Sequence, residues 1–384
     1  MDFNKKALAL HRKHKGKIEI KSKVPLETLD DLSSAYTPGV GAVCLAIEKE
    51  PNLSWELTNR GNQVAIVCDG TAILGLGDIG PEAGMPVMEG KSIIFKEFAG
   101  IDAIPLCIDT QDTEEIIKFC KQIAPSFGGI NLEDISAPRC FEILERLEKE
   151  LDIAVFHDDQ DGTAIVVLAA LINACRATHR NIHELKIVIN GAGAAGIATA
   201  RLLLAKGVGD VILLDTHGTI YTGRKELNRF KKDMAVKTNK RKVKGDLAKA
   251  MIGADVFIGL SKANLVNGEM VKSMSLNPII FAMANPVPEI MPDLALSAGA
   301  SVVGTGRSDF PNQINNALVF PGMFLGLLDG WENKVTTKMK LSAADAIAFS
   351  VKNPKKDIIL PKVTDKKVVK LIAQAVMSAK RRVK

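Results

Sequence analysis

Through the first half of the chain, short runs of uninterrupted apolar residues alternate with longer runs whose apolar positions recur at helical spacing. QVAIVCD (63–69), IDAIPLCID (101–109), GGINLEDI (128–135) and LDIAVFHDD (151–159) are strand-like. Between them MEGKSIIFKEFAG (88–100), TEEIIKFCKQIAPSF and APRCFEILERLEKEL have the period of amphipathic helices. Strands that are apolar throughout and separated by helices predict a parallel sheet covered on both faces. After a helical run at 163–178 the rhythm repeats: LKIVINGAGAAGIATARLLLAKG (185–207), DVILLD (210–215), ADVFIGL (254–260), PIIFAMANP (278–286) and ASVVGTG (300–306). Past Pro321 the chain becomes helical, crosses a Pro/Lys connector and closes on a basic helix whose packing the pattern leaves open. The predicted class is α/β with two domains, the second of Rossmann type and doubly wound. The expected boundaries are 1–160, 161–350 and a helical extension over 351–384.

Composition changes this picture little. A chain of 384 residues with 47% hydrophobic and 24% charged residues can build two ordinary cores. Only 5% are aromatic, which argues against a surface that stacks on single-stranded nucleic acid. The net charge of +6 concentrates at the start, at 231–249 and in the final KRRVK. These clusters read as solvated helix faces and a frayed tail, so no nucleic-acid partner is expected. The six cysteines (44, 68, 107, 120, 140, 175) include no Cys-x-x-Cys pair, which suits buried, reduced thiols. No signal peptide is apparent, and no apolar run approaches the length that spans a bilayer. The expectation is a soluble, cytoplasmic protein with no membrane partner.

Candidate chemistry begins with the acids. Asp69, Asp109, Glu133, Asp134, Asp158 and Asp159 fall at the carboxyl ends of strand-like runs, where open α/β sheets bind ligands. In VFHDDQDGTAIVV (155–167) three acids crowd into four positions, a repulsion that something must offset. Glu133, Asp134 and Asp159 converging from neighbouring strand ends, with Asp69 near by, would require a cation. Oxygen-only ligation selects Mg²⁺ or Mn²⁺. Each acid alone also suits a helix N-cap, and Asp109 is most simply a cap or turn residue.

Gly191, Gly193 and Gly196 form a Gly-x-Gly-x-x-Gly turn with Ala192, Ala194 and Ala195, directly after a strand and opening a helix. Asp215 follows at the end of the next strand. That context is the one a dinucleotide fingerprint requires. An acid at 215 suits the ribose hydroxyls of NAD, while nearby Arg224 and Lys225 leave NADP possible. Tyr36, before a Pro-Gly turn, and Lys91, near a helix start, are candidate acid–base groups. A lysine serves as base only with a depressed pKa, which burial and a nearby metal ion would supply.

Together YTPGV, DGTAILGLGDIGPEAGMPVMEGK, FKEFAGID, NLEDI, FHDDQ-x-GTA, NGAGAAG, ANPVPEI and NNALVFPG resemble the malic enzyme family, in its short bacterial and archaeal form. The resemblance implies oxidative decarboxylation of L-malate to pyruvate and CO2 with reduction of NAD(P), and a homodimer or homotetramer. It makes 1–160 the substrate and metal domain. It assigns Glu133, Asp134 and Asp159 to the metal, Lys91 as base, Tyr36 as the acid that protonates the enol, and Asp158 as the group that tunes Lys91. Asn285 and Asn316, with Asn315 as the alternative to the latter, would contact the substrate carboxylate or the cofactor's ribose and nicotinamide. Turn chemistry is the competing reading for these asparagines.

Two departures stand out. Asp161 occupies a position where relatives commonly carry His, and is expected to face solvent or cap a helix. Ala72 stands near a position where larger relatives use an arginine, so carboxylate binding is expected to use backbone N–H groups of the GLGDIG turn. Rival functions are a malolactic-type decarboxylase, giving lactate without net NADH, and a non-catalytic NAD-binding protein.

Overall fold

The computed structural model describes residues 3–73 and 75–379; the basic run KRRVK at the end of the chain lies outside the described residues. The first apolar runs form strands β1 (Gln63–Cys68), β2 (Asp102–Cys107), β3 (Gly129–Leu132) and β4 (Ala154–His157), a wholly parallel sheet in the order β2-β1-β3-β4. Val67 pairs with Leu132 and Leu132 with His157, so the residues after β1, β3 and β4 emerge along one edge. The acids at those strand ends are neighbours through register alone.

The second series supplies β5 (Lys186–Asn190), β6 (Asp210–Asp215), β7 (Gly218–Thr219), β8 (Val256–Gly259), β9 (Ile279–Ala282) and β10 (Val302–Thr305), in the order β10-β9-β8-β5-β6-β7. All pairings are parallel except that of β6 with β7. The chain order reverses between β5 and β8, which opens the ligand crevice of a doubly wound sheet beside β5. The α/β architecture with two sheets is the one the alternating pattern predicts.

Helix Thr163–Thr178 joins the two sheets, and Ala164–Cys175 are all buried. With its opening turn it spans Asp158–Thr178, long and apolar enough by composition to cross a membrane, contrary to the expectation that no run approaches that length. Its apolarity has another cause. A helix buried all round has no polar face to present.

Helix Phe320–Asp329 comes from the far end of the sequence yet packs on the first sheet: Phe320 and Phe324 lie 4.7 and 5.3 Å from Phe95, and Phe324 lies 5.9 Å from Phe156, between ring centroids. The closing helix Lys366–Ser378 lies against it, where a Cβ on Gly322 would stand 2.7 Å from that of Ile372. By contrast, helices Phe3–His14, Leu29–Ala35 and Val40–Lys49 bury no residue and expose Phe3, Leu8, Leu29 and Leu45. Cys68, Cys120, Cys140 and Cys175 are buried thiols as expected, Cys107 is half-buried, and Cys44 is exposed.

Candidate active site

A cavity of about 570 Å³ is lined by residues of both units. Lys91, Glu133, Asp134 and Asp159 line it from the first unit, and Ala195, Asn285, Asn315 and Asn316 from the second.

Glu133 and Asp134 follow β3 directly, and Asp159 follows β4 by two residues. A ligand oxygen from each lies within 4.8 Å of the others. Asp134 takes the left-handed φ of 53°, which turns its N–H onto Asp159 Oδ2 at 2.8 Å. Its own Oδ2 is buried with no hydrogen-bond partner among the described residues. Burial, then the charges of Asp159 and Glu133, push the Asp134 carboxyl up to about 9, and burial raises Glu133 and Asp159 too. Three carboxylates driven toward their neutral forms, one holding an orphaned oxygen, fit a hard divalent cation. Asp69 is not part of this set. Its Oδ2 pairs with Arg139 at 3.1 Å and its Oδ1 accepts from Thr71 Oγ1 at 2.6 Å.

Lys91 projects from helix Pro81–Ala99 into the floor of this cluster. Its Nζ lies 3.0 Å from Glu133 Oε1, donates to Asp158 Oδ2, and sits 4.5 Å above the centre of the Phe320 ring. Burial alone would lower its pKa. The carboxylates of Asp158, Glu133 and Asp159 outweigh burial and hold the ammonium above the ordinary lysine range. The depressed pKa expected from the sequence is thus absent while those carboxylates stand uncompensated. Asp158 is fully buried and lies behind Lys91, packed so tightly that a Cβ on Gly162 would fall 1.8 Å from its Oδ1.

A second cavity of about 670 Å³ follows the turn Gly191–Ala192–Gly193 to Asp215, with Lys231, Ser261 and Lys262 on its walls. Gly191 has φ 119°, and a Cβ there would meet Leu260 O at 2.3 Å; one on Gly196 would meet Gly191 O at 1.7 Å. Gly193 has nothing within 4 Å and, as N-cap of helix Ala194–Lys206, leaves the first N–H groups uncapped by a side chain. An open, N–H-rich helix start suits a pyrophosphate. Asp215 Oδ2 accepts from Arg224 at 2.5 Å and Lys231 at 2.7 Å. Burial would raise its pKa, but those two cations hold it down to about 2.

Comparison with known proteins accounts for this pairing of sites. Residues 15–148 match the malic enzyme N-terminal domain and residues 160–380 the malic enzyme NAD binding domain. The chain belongs to the malic enzyme family. It is 54% identical to the NAD-dependent malic enzyme of Geobacillus stearothermophilus, over 95% of this chain and 76% of that one. It is 51% identical to the bifunctional malic/malolactic enzyme of Bacillus subtilis, over 99% and 93%. The NAD-dependent malic enzyme of Thermotoga maritima superposes with a TM-score of 0.94 at 48% identity, covering 97% of this chain and 98% of that one.

Set against the roles that malic enzyme membership suggests, the remaining residues divide. Asn285, Asn315 and Asn316 all reach the cavity. Asn315 Oδ1 is taken by the N–H of Ala317 at 2.8 Å, whereas Asn316 makes no side-chain hydrogen bond among the described residues. Tyr36 is not brought to its own chain's cavity: it is 67% exposed, at the end of helix Leu29–Ala35. The GLGDIG turn spends the N–H groups of Leu76, Gly77 and Ile79 on the carbonyls of Ile73 and Gly70, so few remain for a substrate. Besides Lys91, a second cation lines the cavity wall: Lys17, fixed by donation to Pro86 O at 2.7 Å. Sequence reading assigned Lys17 to a solvated basic run. Asp161 neither faces solvent nor caps a helix; it is buried and paired to Lys340 Nζ at 2.7 Å.

Proposed function

We propose that the protein is a metal-dependent malic enzyme that converts L-malate and NAD to pyruvate, CO2 and NADH, by way of enzyme-bound oxaloacetate and enolpyruvate. The observation that carries this reading is the placement of Lys91 between a buried carboxylate and an all-oxygen cluster, in a cavity that Ala195 of the dinucleotide turn also lines. Glu133, Asp134 and Asp159 would hold Mg²⁺ or Mn²⁺, which supplies positive charge to the substrate's hydroxyl and later its ketone. Gly191, Ala192, Gly193, Ala194, Ala195 and Gly196 would hold the cofactor's pyrophosphate and Asp215 its ribose, with Asn285 and Asn316 on the substrate and nicotinamide side.

In this reading a cation on Glu133, Asp134 and Asp159 would offset the carboxylates that keep Lys91 charged, so that neutral Lys91 takes the hydroxyl proton as the hydride leaves C2 of malate for NAD. Asp158 accepts the hydrogen bond of the Lys91 ammonium and is placed to take its proton. Lys17 faces a substrate carboxylate. Tyr36 protonates the enol carbon across a subunit boundary. A homodimer or homotetramer would cover the apolar residues exposed on 3–57 and bring the partner subunit's Tyr36 over the cavity. The domain division falls at the turn Asp158–Gly162, close to residue 160. The location is cytoplasmic, with no nucleic-acid or membrane partner.

The Asp215 carboxylate favours NAD, while Arg224 and Lys231 beside it leave a net positive charge that lets NADP be accepted with lower efficiency. A malolactic outcome is the second reading, favoured by the Bacillus subtilis relative whose name includes both activities. Following NADH, pyruvate and lactate together from L-malate separates the two.

A further inference from the structure

The short turn Asp158–Gly162 carries the groups on which the site depends, and each of its acids leaves in a different direction. Asp158 binds Lys91 of helix Pro81–Ala99; Asp159 accepts the Asp134 N–H at 2.8 Å; Gln160 donates to Cys140 O at 3.3 Å. These three anchors all belong to the first unit. Asp161 alone turns the other way, to Lys340 of helix Thr337–Ser350, which packs on helices Thr163–Thr178 and Ala194–Lys206.

The pair is enclosed. The Asp161 side chain is 9% exposed and that of Lys340 is 17% exposed, at the side of a 260 Å³ cavity that also receives Glu145, Glu148 and Arg201. Asp161 Oδ2 has no hydrogen-bond partner among the described residues, so Lys340 at Oδ1 is the principal compensation for a buried charge. Removing one member of such a pair leaves the other uncompensated, and the backbone that carries it relaxes. Here that backbone is the turn holding Asp159.

We infer that Asp161 and Lys340 form a positioning pair. It ties the metal-binding turn to a helix of the dinucleotide-binding unit and so fixes the Asp159 carboxylate. Neither residue lines the active-site cavity or the dinucleotide cavity. The inference rests on the proposed metal site, and its test separates the two.

Mn²⁺ binding to the full-length protein is titrated by electron paramagnetic resonance, without substrate, alongside NAD binding by fluorescence. Lys340→Met and Asp161→Asn should each weaken Mn²⁺ binding about tenfold, as loss of groups that orient metal ligands does, while NAD affinity changes by less than about twofold. The double variant should be no worse than either single one, because both act through one contact. Lys340→Arg should restore Mn²⁺ affinity. Unchanged Mn²⁺ affinity in the folded single variants, or additive losses in the double, overturns the pair's role. If neither single variant folds, the pair is a general stabiliser and the inference also fails. If the unaltered protein and Asp159→Ala bind Mn²⁺ equally poorly, the metal reading itself is what has failed.

Discussion

Lys91 Nζ lies 3.0 Å from Glu133 Oε1, so a single ammonium joins the buried Asp158 to the carboxylate cluster that lines the cavity. It is both the candidate base and the counter-ion that keeps the cluster together. Lys91→Ala should therefore cost turnover about 10²–10⁴-fold, the range for a lost acid–base group. Lys91→Arg should fold normally yet remain nearly inactive, since guanidinium keeps the charge but does not give up its proton. Steady-state kcat with thermal unfolding of both variants checks this. An active arginine variant would remove Lys91 from proton transfer.

Two of the turn glycines, Gly193 and Gly196, separate folding from binding. A Cβ at Gly196 would stand 1.7 Å from Gly191 O, so Gly196→Ala should destabilise the protein by about 1–3 kcal/mol or more. Gly193 has φ −90° and no neighbour within 4 Å, so Gly193→Ala should leave stability within about 0.5 kcal/mol. Its new methyl would still occupy the surface the pyrophosphate approaches, weakening NAD about tenfold or more. Melting curves and NAD titrations of the pair test the contrast.

Asp215 is held by Arg224 and Lys231, and under the proposed function the three together would set cofactor choice. Asp215→Ala should free both cations for a 2′-phosphate and shift the kcat/KM ratio toward NADP by about tenfold or more. Lys231→Ala should move it the opposite way. Initial rates with both cofactors measure this; a ratio unmoved by either variant would place the ribose elsewhere.

Burial pushes the Glu148 carboxyl up to about 7 from an ordinary 4.5, with Lys340 opposing and Asp161 adding to the shift. The folded state therefore holds this proton to higher pH than the unfolded one. The resulting stability is complete below about pH 4.5 and lost as pH rises through about 7. Glu148→Gln should match the unaltered protein at low pH and exceed it by about 1–3 kcal/mol above neutrality. Chemical denaturation across that pH range gives the sign directly.

The shared-site proposal for Tyr36 has a simple readout. Tyr36→Phe and Lys91→Ala should each be nearly inactive alone. If the tyrosine crosses between subunits, mixing and reassembling the two should restore activity, because one hybrid site regains both intact groups. No recovery in verified hybrids would confine each site to a single chain.

Much of this was legible in the sequence because it is local. The strands are continuous apolar runs, and the acids follow them immediately, so register brings Glu133, Asp134 and Asp159 together without further information. The glycine turn is local in the same sense. What was illegible depends on packing between distant segments. Lys17 becomes a cavity residue only because its segment lies on the helix that carries Pro86 and Glu89. Asp161 looked like a surface acid until Lys340 came to meet it. Helix Phe320–Asp329 gives no sign in its own pattern that it returns to the first sheet. The raised pKa of Lys91 likewise depends on how many carboxylates converge on it, which spacing alone does not count.

The most direct test of the central claim is a product balance from L-malate with NAD and Mn²⁺, measuring NADH, pyruvate and lactate in one reaction. The account predicts NADH and pyruvate in equal amounts, no lactate, and loss of both products on chelation of the metal or in Asp159→Ala. Lactate without net NADH, or full turnover after chelation, would contradict it.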